Sequence, residues 1–352
     1  MGNEWSSSDI PNLTGKHIIV TGGNRGLGYA SVVEFAKKGA HVILTSRSKE
    51  KGEAAIAEIQ KIVPDASLDT IELDCASFAS VRSFVEKYKA KYDTKLDVLL
   101  NNAGIAKVED KRIDTEDGHE LTWQTNVWSA CLLSQLLLPT LADGATEEKP
   151  ARIVFISSCT STFLNVKIDL EDLESQNIAK KKYWSYPNTK CADWMISNAL
   201  SKRLEKSSSL KGRVLSVCAH PGFSSTDMTS EFGKIQNALM GMPASQGCLS
   251  QVRVATDPSV PSGAFYGPNT PTKISLQHAL SMFGLAGTNA EPELYGSPKP
   301  STYVSPFASD EELCEKLLQK AEEVIGGKFD IAREKKMNQD NRGRDSYQTK
   351  II

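Results

Sequence analysis

Tyr186 and Lys190 stand four residues apart in the stretch Tyr-Pro-Asn-Thr-Lys. On a helix this spacing puts both side chains on one face. A phenol ordinarily ionises near pH 10, too high for ready proton exchange at neutral pH. A neighbouring ammonium favours the phenolate and draws that value down. Such a pair could give a proton to a substrate oxygen or take one from it. Pro187 fits only in the first helical turn, where its missing N–H is no loss. The same spacing recurs at Tyr295 and Lys299, in Tyr-Gly-Ser-Pro-Lys. There Gly296 and Pro298 would break the helix that aligns the pair, so the second copy is set aside. Ser157 and Ser158 close a run of strand-formers, Arg152–Ser157. Sites in open α/β sheets lie at the carboxyl ends of strands, where a hydroxyl can hydrogen-bond a substrate oxygen.

A second constellation is Thr21–Gly28, TGGNRGLG, between strand-formers His17–Thr21 and a helix-like run to Lys38. Gly22, Gly26 and Gly28 allow a sharp turn and close approach of a ligand. The free N–H groups and positive dipole end of the helix would face that ligand, which suits a pyrophosphate. Asn24, Arg25 and Leu27 complete the turn. The spacing is not the commoner G-x-G-x-x-G, and alone it would also serve an ordinary strand-to-helix turn. The next strand ends Thr45-Ser46-Arg47 with no carboxylate. An acidic residue there selects NAD, whereas arginine accommodates a 2′-phosphate. Arg47 and Arg25 together favour NADP(H).

The elements that must hold these groups read as alternating strands and helices. Strands are expected at His17–Thr21, His41–Ser46, Leu68–Asp74, Val98–Asn102, Arg152–Ser157, Arg213–Ala219 and Gly263–Tyr266. Helices are expected at 26–38, 49–62, 77–92, 117–141, 186–204 and 309–325. Near-continuous apolar strands suit a parallel sheet buried on both faces. The alternation predicts an α/β protein, a single-domain Rossmann fold whose doubly wound, seven-stranded parallel sheet carries helices on both faces. Residues 1–16 read as a lead-in and 17–329 as the domain. Within it, about 267–308 is rich in Pro, Gly and Ser and reads as a loop insert beside the substrate pocket. The tail 330–352 is polar and reads as disordered.

Composition removes other classes of function. The 352 residues carry a formal net charge of −2, which gives no footprint for nucleic acid. No apolar stretch reaches the roughly 18 residues of a membrane span, and no signal pattern opens the chain. Seven scattered cysteines with no C-x-x-C pair read as reduced thiols of a cytoplasmic protein. The five histidines have no metal-ligand spacing, so no metal is expected. Met1, Gly2 and Ser6 match the N-myristoylation pattern formally, but Trp5 lies inside it and one acyl chain anchors only marginally.

Taken together, these motifs resemble the classical short-chain dehydrogenase/reductase family. Thr21–Gly28 matches its glycine turn, Asn101-Asn102-Ala103-Gly104 its N-N-A-G, and Ser158, Tyr186 and Lys190 its catalytic set. Asn126 lies in the long helix where the family keeps an asparagine, and Pro221, Gly222 and Thr226 match its P-G…T. The resemblance implies an NADP(H)-dependent enzyme that interconverts a carbonyl and an alcohol by hydride transfer. Tyr186 would be the general acid, Lys190 would tune it and hold the nicotinamide ribose, and Ser158 would position the carbonyl, with Ser157 as the fallback. Asn126 would hold a water leading from Lys190. Asp74 would bind adenine, Asn102 and Ala103 would line the adenosine side, and Pro221–Thr226 would meet the carboxamide. The substrate implied is a small, apolar carbonyl or alcohol. Pairing of two copies through helices 117–141 and 186–204 is left open. So is a catalytically silent NADP(H) sensor on the same fold. Ser158 and Tyr186 are 28 positions apart, longer than the family's usual spacing. This insert and the lead-in from Asp9 resemble the retinol dehydrogenase-like branch, but without the amino-terminal anchor several of its members carry.

Overall fold

The computed structural model describes residues 4–92, 95–106, 112–163, 166, 168–174, 185–222, 224, 242–271, 293–301 and 305–331. Met1 and Gly2 of the formal N-myristoylation match, the motif residue Thr226, residues 164, 165, 167 and 175–182 of the insert and the tail from 332 lie outside them.

The first half alternates as its apolar pattern dictates: β1 (His17–Val20), α1 (Gly26–Lys37), β2 (His41–Ser46), α2 (Lys49–Ile62), β3 (Ser67–Glu72), α3 (Phe78–Tyr92) and β4 (Val98–Asn101). A continuous helical rod then runs through α4 (Leu121–Trp123), a π-helical stretch Gln124–Trp128 and α5 (Ser129–Asp143). β5 (Ala151–Ile156), α6 (Thr160–Phe163), α7 (Ser185–Lys206) and β6 (Val214–Ala219) follow. The remaining elements are α8 (Ala244–Gly247), α9 (Leu249–Thr256), β7 (Phe265–Pro271), β8 (Glu293–Pro300), α10 (Pro306–Ser309) and α11 (Glu311–Ile325).

The sheet order is β3-β2-β1-β4-β5-β6-β7-β8. All pairings are parallel except β7 with β8. The chain thus starts in the middle, winds to one edge, and returns through β4 to the other. That reversal between β1 and β4 is the switch point where open sheets bind ligands. Alternate residues of each strand feed two separate cores. Ile19, Ile43, Leu99, Ile153 and Phe155 join the layer of α3, α5, α7 and α11. Ile18, Val20, Val42, Leu44, Leu100 and Val154 join the layer of α1, α2 and α9. Every residue of β5 is buried: Ile153–Ile156 form its apolar run, and the Arg152 guanidinium donates to the Val254 and Asp257 carbonyls. Trp123 and Trp128 stack at 5.1 Å between ring centroids in the first core. No described helix is long and apolar enough to cross a membrane.

Two features differ from expectation. β7 runs on to Pro271, and an eighth, antiparallel strand lies within 267–308, read from sequence as loop. Pro298 and Pro300 cannot donate to a ladder, so they suit only an edge strand, which is what β8 is. The helices at 244–256 were also not expected; they are short, of 4 and 8 residues.

Candidate active site

The glycine turn after β1 has the backbone its sequence demands. Gly22 and Gly26 have φ of 65° and 58°, the left-handed region. A Cβ on Gly28 would stand 2.4 Å from the Gly22 carbonyl oxygen and 2.5 Å from Asn102 Nδ2. The turn is locked to the next strand: Asn102 Nδ2 donates to Thr21 O at 2.9 Å, and the Ala103 N–H to Thr21 Oγ1 at 2.8 Å. Gln251 of α9 braces the same corner, its Nε2 donating to Asn102 Oδ1 at 3.1 Å and to Ser31 Oγ at 2.7 Å. Asn24 and Leu27 are half-buried, and Arg25 is exposed on the lip of the turn. Arg47 is exposed just past the end of β2, close enough for its charge to act on the Cys75 thiol after β3. Asp74 is half-buried there, and its Oδ1 accepts from the Ala76 N–H at 2.9 Å. On the other side of the switch point Gly222, with φ of 67°, donates its N–H to His220 Nδ1 at 3.3 Å, after Pro221.

Beside this cradle, the polar residues at the carboxyl ends of β4 and β5 converge. Asn126 lies in the π-helical stretch. Its Oδ1 accepts from the Ile105 N–H at 2.8 Å, and its Nδ2 donates to Ile105 O and Thr189 Oγ1, each at 3.0 Å. π-turns inside helices are common at functional sites because they re-aim one side chain. Thr189 passes the link on, donating to Tyr186 O at 2.7 Å. Lys190 Nζ donates to Ile156 O and to Asp193 Oδ2, both at 2.8 Å, and lies 6.0 Å from the Tyr186 ring centroid. A Cβ on Gly104 would come within 3.3 Å of Asn126 Oδ1 and 3.5 Å of Lys190 Nζ. A side chain there would crowd that corner.

The two adjacent serines separate cleanly. Ser157 Oγ donates to the Lys190 carbonyl at 2.7 Å and serves as a strut between β5 and α7. Ser158 Oγ hydrogen-bonds the Tyr186 hydroxyl and accepts from the Thr160 N–H at 3.2 Å.

Electrostatics adds a correction. Lys190 and Ser158 do pull the Tyr186 phenol down, but burial outweighs them and the phenol ends above its ordinary value. Lys190 is itself raised: burial lowers it, and the charges of Asp193 and Tyr186 more than compensate. Burial pushes the Asp193 carboxyl up to about 6 against the pull of Lys190. Asp193 was not singled out in the sequence, although i, i+3 from Lys190 put it on the same helix face. No group of three or more His, Cys, Asp or Glu side chains among the described residues could hold a metal. All seven cysteines are buried free thiols.

A doubly wound sheet with a glycine cradle and a Tyr–Lys pair at its switch point defines a class of nucleotide-dependent oxidoreductase folds. The model of the short chain dehydrogenase family matches residues 16–168. A short-chain dehydrogenase/reductase of Armillaria gallica is 31% identical over 258 residues, 72% of this chain and 81% of its own. An uncharacterized oxidoreductase of Schizosaccharomyces pombe is 34% identical over 229 residues, 64% of this chain and 65% of that protein, just under two thirds of its length. A solved structure from Mycobacterium paratuberculosis superposes with a TM-score of 0.71 at 26% identity, covering 93% of this chain and 99% of that one. The chain belongs to the short-chain dehydrogenase/reductase family.

Proposed function

We propose that this oxidoreductase uses NADP(H) to interconvert a small, apolar carbonyl compound and its alcohol, with Tyr186 as general acid/base. The observation that carries the reading is the meeting of Asn126, Ser158, Tyr186 and Lys190 beside the glycine cradle. A bound nicotinamide would supply or receive the hydride. The remaining work falls to this chain. Gly22, Gly26 and Gly28 leave room for a pyrophosphate over the amino end of α1, whose N–H groups point into it. Arg25 and Arg47 would take a 2′-phosphate, and the absence of a carboxylate after β2 removes what would repel it. Ser158 would orient the substrate oxygen. Tyr186 would give it a proton as negative charge develops, and Lys190 with Asn126 would lead to the proton's replacement.

The test is oxidation of NADPH and of NADH by purified protein against a panel of ketones and aldehydes, alongside cofactor titration. The reading expects turnover with NADPH preferred. Preference for NADH would overturn the role given to Arg25 and Arg47. Tight binding with no turnover would favour the alternative, a cofactor-binding sensor without catalysis.

A further inference from the structure

Asn126 stands in the π-helical stretch Gln124–Trp128. Such a turn holds one residue more than an α-helical turn and is rare, occurring most often at functional sites. Two carboxylates hold this one at both ends. Before it, Glu120 Oε1 accepts from the Thr122 N–H and Oε2 from the Trp123 N–H, each at 3.0 Å. At its far end, Glu174 Oε1 accepts from the Trp128 indole N–H at 2.9 Å. Glu174 Oε2 accepts from the Glu120 N–H at 2.8 Å, which joins the two holds. Between them the rings of Trp123 and Trp128 stack.

Glu174 lies in a turn of the stretch between Ser158 and Tyr186, distant in sequence from the rod it touches. Ile168 and Leu173, buried in the first core, seat that stretch. His119 Nδ1 also donates to Glu174 Oε1, at 2.7 Å, and Arg112 Nη2 to its Oε2, at 3.2 Å. With Trp128 and Glu120 that makes four donors. A carboxylate offers about four acceptor positions, so none is left for a substrate. A group so fully engaged holds its neighbours and takes no part in the chemistry.

We propose that Glu174 is a positioning residue for the site: it fixes the π-helical turn and so sets where the Asn126 amide points. The inference rests on Asn126 belonging to the site, as proposed above. It adds what keeps Asn126 in register, and it assigns a use to the long stretch between Ser158 and Tyr186.

One residue of helix corresponds to about 100° of rotation. If the π-turn relaxed to α-helical winding, the residues before and after it would turn against each other by about that angle. The Asn126 amide meets the Ile105 N–H, the Ile105 carbonyl and Thr189 Oγ1 at 2.8, 3.0 and 3.0 Å, and it could not keep all three. Thr189 in turn donates to Tyr186 O, so the displacement would reach the first turn of α7. Glu120 makes a second tie to that turn: its Oε2 accepts at 3.1 Å from the hydroxyl of Ser185, the residue before Tyr186. Releasing Glu174 therefore loosens Asn126 against Tyr186. The glycine cradle has its own ties, from Asn102 and Ala103 to Thr21, and these do not pass through Glu174.

The experiment compares kcat of Glu174→Ala, Asn126→Ala and the double variant, with NADPH and the panel carbonyl that wild type reduces fastest. NADPH titration and denaturant unfolding accompany it. Glu174→Ala should lower kcat about tenfold or more, the scale of a misplaced catalytic group. Its dissociation constant for NADPH should stay within about twofold of wild type, because the cradle is untouched. In the Asn126→Ala background the same change should cost less than about twofold, because the group it positions is gone. Trp128→Phe keeps a ring that can stack and removes the N–H that Glu174 accepts, so it serves where Glu174→Ala fails to fold. It should lower kcat about threefold or more, again only where Asn126 is present. Wild-type kcat in Glu174→Ala or in Trp128→Phe would overturn the proposal. So would equal losses with and without Asn126, or a loss confined to NADPH binding; either marks Glu174 as a support of the fold alone. Wild-type kcat in Asn126→Ala would instead sink the reading on which the proposal stands.

Discussion

The two ends of one sheet carry their polar groups in opposite ways. At the carboxyl end Lys190 and Asp193 are 4% and 2% exposed, and they face each other. At the amino end the first residues of β1, β2 and β3 are His17, His41 and Ser67, which lie in register. The two imidazoles sit 4.9 Å apart, and Tyr92 from the end of α3 packs on both, at 5.9 and 5.4 Å. His41 Nδ1 hydrogen-bonds Ser67 Oγ at 2.7 Å, and Asp97 ties Lys16 and the His17 N–H to the next strand at 2.7 and 2.8 Å. Asp69 accepts from both Lys91 and Tyr92. Both ends hold titratable groups, and the amino end buries Arg152 as deeply, at 4% exposed, but its guanidinium is tied to the Val254 and Asp257 carbonyls, whereas Lys190 and Asp193 lie beside the glycine cradle. The same fold thus puts charge where reaction needs it at one end. At the other it uses half-buried rings to close the core.

The sharpest way to break this contrast is at Tyr186. Tyr186→Phe removes one oxygen and should lower kcat by about 10²–10⁴-fold with the circular dichroism spectrum unchanged. Turnover close to wild type would mean that the carboxyl end is no more catalytic than the amino end. The next largest effect is on the buried pair. Lys190→Ala leaves Asp193 buried without its partner, and should destabilise the fold by about 3–5 kcal/mol in denaturant titration. The double variant Lys190→Met, Asp193→Leu should recover most of that stability and none of the activity. Recovery of both would make the pair structural only.

A smaller effect is expected at Arg47. Arg47→Ala should raise KM for NADPH by roughly 10–100-fold, the loss of a charge-assisted contact. KM for NADH should stay where it is. Equal changes for both cofactors would assign Arg47 to the surface.

Much of this was legible in the sequence because the groups involved obey local rules. β2 and α2 fall on their expected residues, His41–Ser46 and Lys49–Ile62, since their apolar periods and the Ser48 cap are unambiguous. Gly22 and Gly26 announce their positive φ by being glycines. What escaped depends on partners distant in sequence or on exceptions to pattern. The π-helical register of Asn126 comes from packing against α7 and the loop after β4, not from its own neighbours. β8 is a strand only because β7 offers it an edge. Asp193 looked like one more helix residue until burial set it against Lys190, its one charged neighbour among the described residues.

The amino end should speak through stability rather than rate. Burial lowers the His17 and His41 imidazoles below their ordinary value of 6.5, burial being the largest cause for each. With a lowered folded value the unfolded chain binds protons more readily as pH falls through 6.5. Their contribution to stability is therefore whole above pH 6.5 and is lost as pH drops through the folded values. Replacing both by phenylalanine should flatten the acid side of a plot of unfolding free energy against pH, with kcat/KM unchanged. A change in kcat/KM would show that the two ends are coupled.

The smallest effect tests spacing itself. Tyr295 and Lys299 copy the Tyr-x-x-x-Lys pattern of the catalytic pair, but they lie on β8. In a strand four residues advance about 13 Å, against about 6 Å in a helix, so the phenol and ammonium of such a pair are held far apart. Proton exchange needs the ammonium near the phenol, and no strand supplies that. Tyr295→Phe should leave kcat and its pH profile within about twofold of wild type. A loss approaching that of Tyr186→Phe would mean that the sequence pattern, and not the helix that carries it, had been the informative quantity.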